Sequence, residues 1–299
     1  MIIDNIRFTP KAIALIRYAY NIAGESDFKS LHPIHLFLGE LEIDCEVTNE
    51  LRSIINVDTT AIKYKLNSSI LEKISNEYVQ IRIDDYTIIN ISTLTKDILF
   101  EAKRMTELYE EHGQIFVSDG QILRAVLNCD DRLTNECLSN LDKDLILSII
   151  ASSRDMSVNL NGDFNINLIE NVSIKKVTEK DKEMIREFVL KNFYDRWAKT
   201  IDYGLTLDDI PIYIATINND IVGFAGYNIS KKRNGYFGPL GVLRTYRDKK
   251  IGQSLLNACL IDMKKLGFKT CIIGNASSTE FYEKACGAKI VPIELIYNV

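Results

Sequence analysis

The first half of the chain is written twice, and that repetition limits its fold more than any other feature of the sequence. Phe8-Thr-Pro-Lys-Ala-Ile-Ala-Leu-Ile-Arg-Tyr-Ala19 returns 83 residues later as Ile91-Ser-Thr-Leu-Thr-Lys-Asp-Ile-Leu-Phe-Glu-Ala102. His35-Leu-Phe-Leu-Gly-Glu-Leu41 then returns 86 residues later as Gln121-Ile-Leu-Arg-Ala-Val-Leu127, and Thr48-Asn-Glu-Leu51 as Thr134-Asn-Glu-Cys137 at the same offset. Matches in a fixed order at a nearly constant offset describe a duplicated unit of three or four short helices. Thr9 and Ser92 are N-cap types, and Pro10 stands at a first helical position. Between the copies, Tyr78 to Ile89 alternates apolar and polar residues around Asp84-Asp85, the pattern of a small β-hairpin. His32, His35 and His112 have no partners at metal or catalytic spacing, so they read as structural or solvated.

Residues 152–170 are rich in Ser, Asn, Asp and Gly and lack helical periodicity, which reads as a linker between two domains. At 299 residues the chain is long enough for two cores. Beyond the linker, 172–177 alternates as a strand, and Thr178 to Asp181 opens a helix through Leu190 with Met184, Ile185 and Phe188 inward. Ile210 to Ile217 and Ile221 to Ile229 read as strands joined by an Asn218-Asn219-Asp220 hairpin turn. A strand over 235–243 follows, then a basic loop and a helix. Ile251, Leu255, Leu256, Cys259, Leu260, Met263 and Leu266 make that helix's core stripe. A strand over 269–273, a helix from Thr279 to Cys286 with a Ser277–Glu280 capping pair, and a strand near 289–296 complete the order. The loop Arg247 to Gly252 gathers unpaired backbone N–H groups, a helix N-terminus and cations in one small volume, an arrangement suited to a pyrophosphate or simply to solvated charges.

Arg247-Asp-Lys-Lys-Ile-Gly252, after Gly-Pro-Leu-Gly-Val and before Leu-Leu, resembles the acetyl-CoA loop of the GNAT N-acetyltransferases, whose pattern is Gln/Arg-x-x-Gly-x-Gly/Ala. Phe281-Tyr-Glu-Lys-Ala-Cys-Gly-Ala288 resembles that family's penultimate helix. Lys250 stands where the family has its first motif glycine. The resemblance covers roughly 172–299 and implies an α/β fold with a mixed, splayed central sheet flanked by helices. It also implies acetyl-CoA as co-substrate, with no metal. Cofactor contact would fall to Leu240, Gly241, Val242, Arg247, Asp248, Lys249, Lys250, Ile251, Gly252, Gln253 and Asn275, and the role of thiolate acid to Tyr282. The duplicated half is similar to the Clp N-terminal repeat found ahead of the ATPase modules of Clp chaperones. That likeness covers about 6–150, implies an all-α domain over 1–151 that docks a partner, and leaves 171–299 for the transferase domain. No Walker-type Gly-Lys-Ser/Thr follows, so the chaperone's ATPase is not expected.

The acceptor side is less legible. Phe193-Tyr-Asp-Arg-Trp197 falls where the family places its substrate-facing segment. Its Asp and aromatics could hold a cationic amine, while packing is the ordinary role of Trp197. No Asp, Glu or His stands in 235–242, where many relatives carry a general base. The expected activity is therefore transfer of an acyl group to a small-molecule or peptide amine by direct attack in a ternary complex. A non-catalytic CoA-binding sensor or Clp-protease adaptor-like protein is the alternative. A net charge of −5, from 36 basic and 41 acidic residues, argues against a nucleic-acid partner. Six cysteines without a C-x-x-C pair, no basic leader and no long apolar run give the expectation of a cytoplasmic protein with no membrane partner.

Overall fold

The computed structural model describes residues 2–55, 57–68, 77–107, 116–276 and 278–291. The chain divides into two compact units, Met1–Ser152 and Ser153–Val299.

In the first unit the duplication becomes two sets of helices in the same order. The first set is α1 (Pro10–Glu25), α2 (Pro33–Leu41), α3 (Glu46–Ile54) and α4 (Thr59–Ser68). The second is α5 (Thr93–Glu107), α6 (Asp119–Leu127), α7 (Arg132–Leu138) and α8 (Lys143–Ile150). The copies use the same starting device at their second helices. His35 Nδ1 accepts the His32 N–H at 3.0 Å, and 86 residues on Gln121 Oε1 accepts the Ser118 N–H at 2.8 Å. His35 is thus a cap, fully buried beside Phe28; His112 lies outside the described residues. The copies interlock through crossed bridges: Phe8, ahead of α1, pairs with Val117, ahead of α6, while Leu31, ahead of α2, pairs with Ile91, ahead of α5. This unit is not all-α. β1 (Ile2–Ile3) runs parallel to β2 (Tyr78–Arg82), which forms the expected hairpin with β3 (Ile88–Ser92). That makes a three-stranded sheet, because the hairpin leaves an edge that the N-terminal residues cover.

The second unit is a seven-stranded sheet in the order β10-β4-β9-β8-β7-β6-β5. Its strands are β4 (Arg154–Asn159), β5 (Ser173–Lys176), β6 (Ile212–Ile217), β7 (Asp220–Tyr227), β8 (Tyr236–Val242), β9 (Thr270–Ala276) and β10 (Lys289–Ile290). The β6–β7 turn takes the hairpin form expected of its sequence, with φ positive at both Asn218 and Asn219 and Ile217 opposite Asp220. Helices α9 (Lys182–Asn192) and α10 (Asp195–Gly204) cover one face, where Ile185, Val189, Phe193 and Ile201 meet Ile212, Ile214, Ile221 and Phe224. Helix α11 (Ile251–Lys265) carries the chain from β8 to the parallel strand β9, and with α12 (Thr279–Cys286) it covers the other face. The Thr178–Asp181 box opens a 3₁₀ turn, Glu179–Asp181, that leads into α9, with Thr178 Oγ1 donating to Asp181 Oδ2 at 2.7 Å.

Two expectations change, and a third falls outside the described residues. Residues 154–159 are not linker but an interior strand, paired to β9 on one side and β10 on the other. Met156, Val158 and Leu160 are buried while the residues between them stay wetter, so a period-2 signal is present within the polar composition. Met184 and Leu266 are exposed; the inward stripe of α9 is Ile185 and Val189, and Leu266 lies one residue past the end of α11. Ser277 and residues 292–299, which held half of a capping pair and most of the last expected strand, lie outside the described residues.

The strand correction carries a test. A fragment 153–299 should melt as one cooperative unit, whereas 170–299 should show no cooperative transition by circular dichroism. Losing β4 strips β9 and β10 of their partner and removes three buried apolar side chains, each contributing roughly 1.5–3 kcal/mol against a domain total of about 5–15 kcal/mol.

Candidate functional site

Strands β8 and β9 pair at Tyr236↔Ile272 and Phe237↔Ile273, at the start of β8 and the middle of β9. Beyond that rung β8 keeps its antiparallel ladder to β7, through Leu240↔Ala225, Gly241↔Phe224 and Val242↔Gly223, while its other edge turns away from β9. The result is a wedge-shaped gap whose apex is Phe237 and whose open end faces the start of α11. Gly241 lies under the aromatic rings of the α9–α10 side, where an added Cβ would stand 2.7 Å from Phe193 and Phe224, so only glycine fits. Leu240 and Val242 are half-buried along the strand.

After β8 the chain makes a 3₁₀ turn at Arg244–Tyr246 and enters α11 through the basic loop. Lys250, at the N-cap, has φ 60° and ψ 9°, and Asp248 has φ 62°. Lysine thus takes up the left-handed backbone that glycine would adopt without cost. No side chain caps the helix N-terminus, and Asp248, Lys249 and Lys250 are exposed. Lys249 stands 5.4 Å over the Tyr246 ring. Arg247 Nε donates to the Val242 carbonyl at 3.3 Å, tying the loop back to the end of β8. The Ile251 side chain is buried in the core, so only its backbone faces the loop. Gly252 lies under Phe281, 3.5 Å from where a Cβ would sit. The Gln253 side chain turns from the loop, donating to Ala285 O at 3.4 Å and accepting from Asn167 Nδ2 at 3.4 Å.

Tyr282, in the first turns of α12, packs its ring edge-on to Phe281 at 4.9 Å and to Phe237 at 6.2 Å. The second contact places the phenol beside the apex of the gap. Burial, with Cys286 as a smaller contribution, raises its hydroxyl above the ordinary phenol value, so it stays protonated at neutral pH. Among the described residues no group takes the Tyr282 hydroxyl in a hydrogen bond. Asn275, at φ 52°, gives its N–H to Asp155 Oδ1 at 2.7 Å and does not turn it to the gap. Trp197 stacks on Phe193 with 22° between the planes and joins the α9–α10 core, its packing role. Among the described residues no group of three or more His, Cys, Asp and Glu side chains could hold a metal ion, and no helix is long and apolar enough to cross a membrane.

The gap, the uncapped helix and the phenol at the apex belong to a stretch, residues 177–288, that matches the acetyltransferase (GNAT) family model, and the second unit carries a GNAT acetyltransferase domain. That family generally uses acetyl-CoA. Among solved structures the chain is similar to a GCN5-related N-acetyltransferase from Sphaerobacter thermophilus, at 17% identity over 47% of this chain and 49% of that one, TM-score 0.38. It is similar also to a GCN5-related N-acetyltransferase from Kribbella flavida, at 11% identity over 46% and 54%, TM-score 0.35. The Hsp104 N-terminal domain from Candida albicans matches at 18% identity over 48% of this chain and 87% of that one, TM-score 0.33. The chain spans about half the length of the two acetyltransferase structures. No curated protein matches it.

Proposed function

We propose that the chain is an acetyl-CoA-dependent N-acetyltransferase that carries the acetyl group to an amine by direct attack in a ternary complex. The observation that supports this most is the parting of β8 and β9 after Phe237↔Ile273, opening toward an uncapped helix N-terminus. The peptide-like pantetheine arm can lie along the free edge of β8 at Leu240, Gly241 and Val242, satisfying strand groups that β9 leaves. The pyrophosphate then meets the first N–H groups of α11, at Ile251, Gly252 and Gln253, with Arg247, Lys249 and Lys250 supplying positive charge. Asp248 and Asn275 would contribute backbone conformation at the rim. In the transfer, the amine nitrogen bonds to the thioester carbonyl carbon and the C–S bond breaks. The ammonium group first loses one proton to solvent; after attack the nitrogen gives up a second to water as the amide forms. Tyr282 gives its proton to the leaving thiolate and is reprotonated from solvent, so one proton is released overall.

The first unit would be a Clp N-like module that docks a protein partner, a reading supported by its two sets of short helices in the same order. Six free cysteines suit a reducing, cytoplasmic setting. Acetyl-CoA titrated into the full chain should raise its melting temperature by linkage to the native state. No shift at millimolar acetyl-CoA, with the fold intact, would remove the cofactor assignment.

The loop gives a narrower prediction. Because Lys250 already holds the glycine conformation, Lys250→Gly should leave acetyl-CoA affinity unchanged or weaken it a few-fold by calorimetry. Relief of left-handed strain and the added freedom of the unfolded chain should nearly cancel in the melting temperature. A tenfold gain in affinity would mean that the side chain obstructs the phosphate site.

A further inference from the structure

The sheet of the second unit is covered unevenly. The apolar cluster under α9 and α10 draws its sheet residues from β6 and β7, namely Ile212, Ile214, Ile221 and Phe224, and among the described residues none from β4 or β9. On β4, β9 and the start of β8, alternate residues are buried on the α11–α12 face (Met156, Ile273, Phe237), and the residues between them are half-exposed on the other. That open half-face lies beside the apex of the gap. It presents the Tyr236 ring, the backbone of Gly274 and one carboxylate, Asp155, grouped closely enough that a Cβ built on Gly274 would lie 3.5 Å from the ring and 3.9 Å from Asp155 Oδ1.

Asp155 is aimed there by an irregularity in the ladder. Pairing shifts between Arg154↔Ala276 and Met156↔Ile273, so two residues of β9, Gly274 and Asn275, stand opposite Asp155 alone. The bulge is held by the Asn275 N–H on Asp155 Oδ1 at 2.7 Å. No described lysine or arginine forms an ion pair with this carboxylate. The guanidinium of Arg233 stands over the Tyr236 ring at 5.9 Å. Asp155 lies on the strand next to β9, about 5 Å from its backbone, and sits across β9 from the widening part of the gap.

We propose that Asp155 anchors the acceptor, and that the acceptor is a cationic amine such as a polyamine or a lysine side chain. This rests on the acyl-transfer reading above. Helices α11 and α12 cover the opposite face, so an acceptor reaches the thioester over the open half-face, where among the described residues Asp155 offers a carboxylate that can receive an ammonium group. An amine paired there has its nitrogen, or a second nitrogen a few bonds away, at the edge of the gap, where the reacting nitrogen sheds its proton to solvent before it attacks.

The test uses the full chain saturated with CoA, and measures by calorimetry the binding of spermidine, of Nα-acetyl-lysinamide, and of p-anisidine as an amine that is neutral at pH 7.5. Asp155→Asn keeps an oxygen for the Asn275 N–H and removes only the charge. The expected result is that at least one cationic probe binds the wild type and binds Asp155→Asn tenfold or more weakly, with p-anisidine indifferent to the change and CoA affinity unaltered. Equal binding of the cationic probes to both proteins, or no binding to the CoA-loaded wild type at 10 mM, overturns the anchor and leaves Asp155 as a clasp for the bulge. Failure of CoA itself to bind is a separate outcome, and it brings down the acyl-transfer reading together with the anchor built on it.

Discussion

Replacing Tyr282 with phenylalanine should lower kcat by about 100-fold or more while leaving acetyl-CoA affinity where it was. The variant keeps the ring that packs edge-on against Phe281 and Phe237, so the apex of the gap should hold its shape. It removes only the hydroxyl. A thiolate with a parent pKa of about 8.5 leaves more readily when a proton is delivered as the C–S bond breaks. The half-buried phenol is held in its protonated form, and no described group competes for its hydrogen. Its raised pKa makes it a slower donor than a free phenol, so its value lies in position more than in acidity. The measurement is a pre-steady-state or steady-state rate with acetyl-CoA and a cationic amine, alongside CoA binding by calorimetry. A kcat within a few-fold of wild type would leave Tyr282 as a packing residue, with water supplying the proton.

What could be read from the sequence followed from periodicity and fixed chemistry. The core stripe of α11, the Asn218-Asn219 turn and the Thr178–Asp181 cap are local, so their residue types alone specify them. The duplication in the first half translated directly into two sets of helices, down to matched caps at His35 and Gln121. The failures were long-range. β4 was hidden because Asn, Ser and Asp dominate 152–170, and its place depends on pairing with β9, more than 100 residues away. In a segment whose composition reads as linker, nothing local marks Asp155 as a carboxylate held beside the gap. Lys250 illustrates the reverse case: its side chain departs from the glycine of the family pattern, while its left-handed backbone is one that glycine adopts without cost, and a lysine in the sequence gives no sign of it.

Lys11→Met should destabilise the first unit by about 3–5 kcal/mol at pH 8, a large share of a small domain's total. Lys11, from α1, is almost fully buried and pairs with Glu40 of α2 at 3.1 Å and with Asp119, the first residue of α6, at 2.9 Å. One ammonium therefore joins both copies of the duplicated unit, and removing it leaves two buried carboxylates without their cation. Thr48 Oγ1 donates to Glu40 Oε1 at 2.8 Å and is itself in contact with the Cys45 thiol, which is too little to replace a charge. The deficit should depend on pH in a definite direction. Burial pushes the Glu40 carboxyl up to about 7, with Lys11 pulling it down and Asp119 pushing it further up. A folded-state value above the unfolded one means that the stabilisation from protonated Glu40 is complete below the unfolded value of about 4.3 and is lost as pH rises through about 7. Without Lys11 that upper limit moves higher still. The variant should therefore recover part of its stability as pH falls from 8 to 5, while Glu40→Gln in the same background should remove most of this dependence and restore part of the loss at pH 8. Urea unfolding of the wild-type chain and both variants at pH 5, 7 and 8 measures these differences. A loss under 1 kcal/mol at pH 8, or one unchanged across that range, would mean that the two copies are held by their apolar core and crossed bridges and not by this buried ion cluster.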